Sequence, residues 1–363
     1  KHTFFYFDLE KENFLELCNK GVDEIINYIK GRTVNSSIKK KIFVFIDEIQ
    51  YLDNPTGLLK LFYDHHKDDF KLIVSGSSSF AIKSKFKDSL VGRIIDLEVF
   101  GLSFKEFLDF KGLKYDLASD SELINLELKS LYLEYALYGA YPQIVLTNNL
   151  ELKEVYLKSI VEEYIYKDIR DLAEVKDLEK FNSLVKFLAS QSGGLVNINE
   201  LASTLSIARQ TIAEYLFILE STYIIKLIHP FHKNIGSELS KMSKVYFEDL
   251  GILNLLRNRK LVSDIDGSVF ENSVYAYLRR RFGVGDIFFW RTIGKKEVDF
   301  IINGEKIIPL EVKMAYQDKM MKNLVYFGEQ YEVKKSYCVT MHKKECKINK
   351  IKQIYPWEIE SLN

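Results

Sequence analysis

Hydrophobic residues near the start of this chain form short uninterrupted runs separated by helical patterns. Residues 42–46 are such a run, Phe70–Val74 is a similar run interrupted only by Lys71, and residues 57–65 between them carry apolar positions at helical spacing. Strands of a parallel sheet, buried on both faces, give continuous apolar runs, whereas half-buried strands alternate. Residues 1–8 also have a strand pattern. A further strand is expected at residues 94–99, so this part predicts an α/β domain.

The middle of the chain changes to helical periodicity. Residues 122–137 and 150–171 place apolar side chains on one helical face and predict a helical connector. From residue 178 to 228 the pattern indicates short helices followed by a strand, as in a winged helix. Asn197 precedes one of these helices as a capping residue, and residues 208–219 form the candidate recognition helix.

Strand patterns return in the last third of the chain. Residues 297–302 and 307–313 are two strand patterns that flank Asn303-Gly304, a strong hairpin turn signal, and a helical pattern covers residues 271–278. The sequence therefore predicts an α/β protein of several domains. Their expected bounds are 1–112 for a parallel-sheet core, 113–177 for a helical connector, 178–235 for a winged helix and 236–363 for a second α/β domain.

Composition restricts the classes of partner. The 363 residues include 51 basic and 51 acidic side chains, so a global charge excess suited to nucleic acid or membrane is excluded and any such site must be local. Three cysteines without a C-x-x-C pair predict reduced thiols in a cytoplasmic protein. No apolar stretch approaches the roughly 20 residues that span a bilayer, so no membrane partner is expected.

The run at residues 42–46 ends in two adjacent carboxylates, Asp47 and Glu48. This is the pattern of a Walker B strand, whose acids emerge at the sheet edge where ligands bind. Asp47 is then predicted to hold Mg²⁺ beside a bound ATP, and Glu48 to orient or deprotonate the attacking water. The alternative is a core strand whose last two residues are solvated or cap the next helix.

The phosphate-binding loop that normally precedes a Walker B strand has no counterpart in this sequence. No stretch fits G-x-x-x-x-G-K-[S/T], and the Gly294-Lys295 pair lacks the upstream glycine. The chain also opens directly in a strand pattern. We therefore expect a fragment that follows the phosphate-binding loop, and weak or no ATP binding by the chain itself.

Polar residues after the next strand extend the predicted nucleotide site. Ser75 or Ser77 lies where a side chain can contact the γ-phosphate or the attacking water, although a serine-rich turn that caps a helix is the alternative. Arg93 is either a cation that stabilises phosphoryl-transfer charge or an ordinary surface residue.

A second chemical pattern lies in the C-terminal hairpin. Asp299 on one strand and Glu311-x-Lys313 on the next resemble the core of restriction-endonuclease-like folds. That chemistry uses two carboxylates that share a divalent metal and a lysine that steadies the nucleophile. Glu271, in the preceding helix, is expected to supply a further metal ligand. The alternative is an ordinary half-buried hairpin with exposed charges.

The register of this hairpin decides whether its carboxylates meet. A two-residue turn at Asn303-Gly304 would pair Asp299 with Ile308 and send it to the face opposite Glu311, since side chains alternate along a strand. Convergence therefore requires a loop of odd length or a bulge, for which Pro309 is a candidate position.

The candidate recognition helix offers a nucleic-acid contact. Arg209, Gln210 and Thr211 lie at its start, where such helices meet base edges in the major groove. Glu214 and Glu220 lie on the same helix and disfavour contact with phosphates. Winged helices also serve as protein-interaction modules, so both partners remain open.

Eight segments together resemble the prokaryotic AAA+-type ATPases that carry a C-terminal domain of unknown function. They are residues 43–50 (FVFIDEIQ), 74–78 (VSGSS), 89–93 (SLVGR), 100–107 (FGLSFKEF), 138–142 (YGAYP), 167–169 (KDI), 244–249 (KVYFED) and 297–313. The resemblance covers essentially the whole chain and implies a P-loop-type ATPase core, here N-terminally truncated. Family members open with the phosphate-binding loop, and this sequence departs from them there.

The resemblance and the motifs lead to an expected function and to an alternative function of a different class. The first is an ATP- and Mg²⁺-dependent, nucleic-acid-associated enzyme with a nuclease-like C-terminal domain, with DNA and further copies of the chain as expected partners. The second is an ATP-dependent regulatory switch, or a DNA- or protein-binding module, whose nuclease fold is inactive.

Overall fold

The computed structural model describes residues 3–33, 41–76, 90, 92–168, 175, 177–231 and 242–362. The chain forms two compact units, residues 1–98 and residues 99–363. The strands predicted within residues 1–8, 42–46 and 70–74 and the helix predicted at residues 57–65 are present in the first unit. The predicted C-terminal hairpin is present in the second unit.

The first unit is a three-stranded parallel sheet with helices. Its elements are β1 Phe4–Asp8, α1 Glu12–Asn19, α2 Val22–Arg32, β2 Ile42–Asp47, α3 Pro55–His66 and β3 Phe70–Val74. The strand order is β1-β2-β3, with both pairs parallel. The predicted Walker B strand is thus the central strand, and Asp47 ends it.

The two faces of this sheet are covered to different extents. Val44 and Ile46 on β2 are fully buried in a cluster that includes residues of α2 and α3. On the other face, Phe43 and Phe45 are half-buried and Phe4 on β1 is 69% exposed. The continuous apolar run predicted a strand buried on both faces, and the structure shows full burial on one.

The prediction of a strand at residues 94–99 is wrong. These residues have no regular secondary structure, and Ile95, Leu97 and Val99 are 82%, 85% and 97% exposed. Alternating apolar residues form a strand only beside a hydrogen-bonding neighbour, and none of the ten strands in the described parts of the chain pairs with this segment.

The second unit opens with helices. They are α4 Phe104–Phe110, α5 Glu122–Tyr138, α6 Pro142–Leu146 and α7 Leu150–Ser159, which continues as a π-helix over Ile160–Asp168. Tyr132 and Tyr135 of α5 are fully buried in the main core. The first predicted helix is therefore present, and the second is present over residues 150–168 with a change of hydrogen-bonding pattern halfway; residues 169–171 lie outside the described residues.

Three helices and a two-stranded sheet follow. The helices are α8 Leu178–Ser190, α9 Ile198–Leu205 and α10 Arg209–Ser221, and the strands β4 Ile225–Ile228 and β5 Lys244–Phe247 pair antiparallel. Asn197 caps α9 by accepting hydrogen bonds from two backbone amides, as its sequence position predicted. The predicted boundary at residue 235 falls between the two paired strands.

The C-terminal part is a five-stranded mixed sheet with helices. Its elements are α11 Leu250–Asn258, α12 Gly267–Phe282, β6 Ile287–Arg291, β7 Glu297–Asn303, β8 Ile307–Ala315, α13 Lys322–Gln330, β9 Ser336–His342 and β10 Ile351–Ile354. The strand order is β10-β9-β8-β7-β6. The pairs β6–β7 and β7–β8 are antiparallel, and the pairs β8–β9 and β9–β10 are parallel.

Two sequence expectations about the whole chain can be compared with the structure. Cys18, Cys338 and Cys346 all lie in described parts of the chain and are free thiols. Across the described ranges, no helix combines the length and the apolar character needed to cross a membrane.

Candidate functional site

Asp47, the first residue of the predicted Walker B pair, is held by two hydroxyl groups. The Oγ of Ser75 donates to its Oδ1 at 2.5 Å, and the phenol of Tyr6 on the neighbouring strand donates to its Oδ2. These hydrogen bonds, chiefly that from Ser75, lower the pKa of Asp47, and the bond to Asp47 raises the pKa of Tyr6 to about 12. Asp47 is therefore a carboxylate at neutral pH.

Glu48 turns away from the strand in a left-handed backbone conformation with φ 55°. This conformation is uncommon for a residue with a side chain and is often found where function requires it. The side-chain amide of Gln50 donates to its Oε2. The strand thus ends at Asp47, and the backbone changes conformation at Glu48.

The other three residues predicted to contact the nucleotide, Ser75, Ser77 and Arg93, differ in what the structure shows for them. The backbone amide of Ser75 donates to Ile46 at 3.0 Å, which keeps this serine beside the end of β2. Ser77 lies outside the described residues. The Nε of Arg93 donates to Oδ1 of Asp64 on α3 at 2.9 Å, with both side chains about one-third exposed. Arg93 therefore makes a surface ion pair.

In the C-terminal hairpin, a loop of odd length brings the carboxylates to one face. Asn303 pairs with Ile307, so residues 304–306 form the loop, and Phe300 pairs with Leu310. Continuing this register by one residue places Asp299 opposite Glu311. Of the two devices predicted, the structure has the odd loop. Pro309 carries no bulge and pairs regularly with Ile301, whereas the register shift of this sheet lies between β6 and β7.

Lys313 connects the two carboxylates. Its Nζ lies 3.0 Å from Oδ2 of Asp299 and 2.7 Å from Oε1 of Glu311. The backbone amide of Val312 also donates to Oδ2 of Asp299 at 2.8 Å. Alternation along β8 puts Glu311 and Lys313 on one face, so the three predicted side chains converge.

This site is buried and electrostatically strained. Asp299 and Glu311 are each 6% exposed, and within the described parts of the chain Oε2 of Glu311 has no hydrogen-bond partner. Burial, and then the charge of Asp299, raise the pKa of Glu311 to about 8 against the opposing effect of Lys313. Burial alone would lower the pKa of Lys313, but the two carboxylates outweigh it and raise that pKa.

Glu271, the predicted third ligand, makes different contacts. It lies on α12, where its Oε1 accepts a hydrogen bond from the phenol of Tyr246 at 2.6 Å and lies 3.2 Å from Nζ of Lys244. Burial and the charge of Asp299 raise its pKa. Lys244 also lies 2.7 Å from Oε1 of Glu297 at the start of β7.

Lys244, Tyr246 and Glu297 are site residues that the sequence analysis did not single out. Lys244 is 3% exposed and opens an otherwise apolar strand, Lys244–Phe247. A lysine in such a strand is costly to bury without a partner. That contrast is the sequence signal that points to a buried carboxylate nearby.

Asp299 and Glu311 are the candidate ligands for a divalent metal ion in the C-terminal hairpin. No group of three or more His, Cys, Asp and Glu side chains in the described ranges is arranged to hold a metal ion. Mg²⁺, however, often binds through one or two carboxylates and keeps several waters. Asp299 and Glu311 supply two neighbouring carboxylates, and Oε2 of Glu311 is a buried oxygen in need of a partner. The pair fits such an ion.

The residues predicted to meet nucleic acid lie at the start of α10. Arg209 and Gln210 are exposed and Thr211 is half-buried. The side chain of Gln210 donates to Glu214 on the same helix at 3.3 Å. The first turn of α10 therefore presents one basic and one amide side chain to solvent.

Three protein families match successive parts of the chain. Residues 1–108 match the AAA domain, residues 129–262 match a domain of unknown function, DUF8612, and residues 266–359 match another, DUF4143. The first match covers Asp47 and Glu48. The second covers α8–α10 and β5, and the third covers Glu271 and the Asp299 hairpin.

Similar proteins occur in archaea and bacteria. An uncharacterized protein of Methanocaldococcus jannaschii is 29% identical over 84% of this chain and 67% of its own length, and one of Haemophilus influenzae is 27% identical over 88% and 77%. Among solved structures, the RuvB Holliday junction branch migration motor of Thermotoga maritima aligns with a TM-score of 0.24 at 17% identity, over 62% of this chain and 72% of that chain. The chain thus combines an N-terminal AAA domain with two C-terminal domains of unknown function, DUF8612 and DUF4143.

Proposed function

We propose that this protein is an ATP-hydrolysing AAA enzyme that acts on nucleic acid, and that its C-terminal site cleaves phosphodiester bonds with the help of Mg²⁺. The convergence of Asp299, Glu311 and Lys313 carries this proposal, since a regular two-residue turn would have separated the carboxylates. The fold expected from the sequence, a restriction-endonuclease-like domain, is part of the same proposal.

Each residue of the hairpin has a defined task in this chemistry. Asp299 and Glu311 would hold the metal, which when bound polarises the phosphodiester and activates a water molecule. The amide of Val312 orients Asp299 by donating to its Oδ2. Lys313 supplies a positive charge on the same face, where it steadies the attacking oxygen and the charge that develops on the phosphate.

The AAA domain supplies the second activity of the proposal. Asp47, kept ionised by Ser75 and Tyr6, would hold the Mg²⁺ of a bound ATP, and Glu48 would orient the attacking water. Ser75 directly follows β3, the strand that pairs with β2, and its backbone amide donates to Ile46 near the end of β2. Arg93, at the surface, is the candidate for charge stabilisation during phosphoryl transfer.

A DNA contact through α10 completes the proposal. Arg209 and Gln210 are exposed at the N-terminal end of α10, the second helix of the helix–turn–helix arrangement of α9 and α10. Such helices place their first residues in the major groove. Nucleotide state would then position the bound duplex relative to the C-terminal site.

One observation favours a second candidate, a binding module that does not cut. Lys313 contacts both carboxylates at salt-bridge distance, so its ammonium group already offsets one of the pair's two negative charges. A cation fixed there competes with a metal for the same oxygens. The protein would then use its C-terminal domain to bind DNA or protein under ATP control.

Cleavage assays with Mg²⁺ separate the two candidates. The chain is incubated with single- and double-stranded DNA and RNA, and Lys313→Met is compared with Lys306→Met, a neutralised lysine in the exposed turn of the same hairpin. We expect Mg²⁺-dependent cleavage that Lys313→Met abolishes and Lys306→Met retains. Thermal unfolding of both variants identifies any loss that reflects unfolding. Nucleic-acid binding without cleavage by the wild-type chain would favour the binding module.

A further inference from the structure

A buried lysine from outside the hairpin lies among the carboxylates of the C-terminal site. We propose that the ammonium group of Lys244 occupies a cation position between Glu271 and Glu297, so that the site takes one divalent cation fewer than its carboxylates can hold. This inference rests on the proposed metal-binding function, and it assigns Lys244 as a positioning residue.

The geometry of Lys244 is that of an internal cation. Its side chain is 3% exposed, and its Nζ lies 3.2 Å from Oε1 of Glu271 and 2.7 Å from Oε1 of Glu297. Burying an ammonium group is costly unless opposite charges surround it closely. Here the carboxylates of Glu271, Glu297 and Asp299 all act on it and together raise its pKa despite burial.

The strand that carries Lys244 is fixed at both ends. Asn272 of α12 binds both backbone groups of Phe247, because its Oδ1 accepts from the amide and its Nδ2 donates to the carbonyl, each at 2.8 Å. The amide of Gly193 donates to the carbonyl of Val245 at 2.8 Å. Because β5 also pairs with β4, the backbone that carries Lys244 is held in place beside Glu271 and Glu297.

Glu271 is held in the same arrangement. Its Oε1 accepts from the phenol of Tyr246 at 2.6 Å in addition to contacting Lys244. Gly193 lies against it, since a Cβ atom at that glycine would stand 3.3 Å from the same oxygen. The carboxylate is therefore oriented by donors on β5 rather than left to bind an ion.

The neighbouring carboxylates show where a divalent cation remains possible. Glu311 has a buried Oε2 that no described residue contacts by a hydrogen bond, whereas the described oxygens of Glu271 and Glu297 at the Lys244 position are occupied by donors. Removing the Lys244 charge would leave two half-buried carboxylates beside the guanidinium group of Arg291, which lies 2.7 Å from Glu297. Carboxylates in that situation are hard-cation ligands.

The test counts bound Mn²⁺, which reports on Mg²⁺ sites by electron paramagnetic resonance, in the full chain. We expect Lys244→Met to bind one more Mn²⁺ per chain than the wild type, and Lys244→Arg, which keeps the charge, to bind the same number as the wild type. Lys226→Met is the matched control, since Lys226 lies on the paired strand β4 and contacts Glu220 at 2.9 Å at the surface.

The outcomes separate this inference from the proposed function. A gain of one Mn²⁺ in Lys244→Met supports the inference, and an unchanged count, or the same gain in Lys226→Met, overturns it. A wild type that binds no Mn²⁺ overturns the proposed metal site at Asp299 and Glu311, whatever the variant does. If Lys244→Met and Lys244→Gln unfold in metal-free buffer, refolding by Mn²⁺ supports the inference and failure to refold overturns it.

Discussion

Gly139 lies so close to the carboxylate of Asp249 that a Cβ atom at this glycine would stand 2.4 Å from Oδ1. The contact joins residues far apart in the chain. Asp249 is half-buried and accepts hydrogen bonds from the amide of Ala140 at 2.9 Å and from the amide of Ile252 at 3.0 Å, where it caps α11. The two segments YGAYP and KVYFED of the family resemblance therefore meet at one structural point.

Gly139→Ala should destabilise the second unit by about 3 kcal/mol or more, from the left-handed backbone and from overpacking. The matched control is Gly112→Ala. Both glycines have positive φ, 82° and 71°, but nothing lies within 4 Å of a Cβ at Gly112. The control should lose only about 1–2 kcal/mol. Urea unfolding measures both, and equal losses would show that the Asp249 contact is unimportant.

Local patterns predicted much of the fold because they depend on near neighbours. The apolar run before Asp47, the capping role of Asn197 and the hairpin around residue 304 are all present in the structure. The odd-length loop followed from one requirement, that Asp299 and Glu311 share a face. Alternation along a strand makes that requirement strict.

The features that the sequence did not predict depend on contacts between residues far apart in the chain. Lys244 reaches Glu271 and Glu297, which lie 27 and 53 residues further along the chain, through contacts between a strand, a helix and a second sheet that no short segment specifies. Residues 94–99 show the reverse case, since they have a strand pattern but none of the strands in the described chain pairs with them. Side-chain patterns predict strands, but hydrogen-bond partners decide whether they form.

The raised pKa of Glu311 predicts a pH-dependent stability. Its pKa is about 8 in the folded protein against an ordinary value of 4.5. Between these values the folded state holds a proton that the unfolded chain has lost, so the contribution to the free energy of unfolding falls as pH rises. The slope is at most about 1.4 kcal/mol per pH unit. This stability is complete below about pH 4.5 and lost once pH passes about 8.

Glu311→Gln should flatten this dependence, because the amide cannot ionise. Urea unfolding of the wild type and the variant gives the free energy of unfolding at a series of pH values from about 5 to about 8.5. The dependence of this free energy on pH is then compared between the two proteins. Glu305→Gln, in the exposed turn of the same hairpin, should retain the wild-type profile. Parallel profiles for Glu311→Gln and the wild type would contradict a protonated Glu311.

The proposed DNA contact of α10 can be tested at its first residue. Arg209→Ala should weaken DNA binding by about 1–3 kcal/mol if the guanidinium reads a base, and should reduce the salt dependence by about one ion if it contacts a phosphate. Lys180→Ala on α8 removes an exposed cation outside the recognition helix and should leave affinity nearly unchanged. Fluorescence anisotropy over a range of salt concentrations distinguishes these results. Equal affinities for all three proteins would favour a protein partner for this helix.

The last prediction concerns the Walker B pair. In any form of this protein that hydrolyses ATP, Glu48→Gln should retain ATP binding, because Asp47 keeps the hydroxyl groups of Ser75 and Tyr6 that hold it ionised. Turnover should fall by about 10²–10⁴-fold, since the amide cannot accept a proton from the attacking water. Glu10→Gln, an exposed acid in the same unit, is the control and should turn over ATP normally. Calorimetry and phosphate release measure the two effects separately, and an unchanged rate in Glu48→Gln would remove this residue from the mechanism.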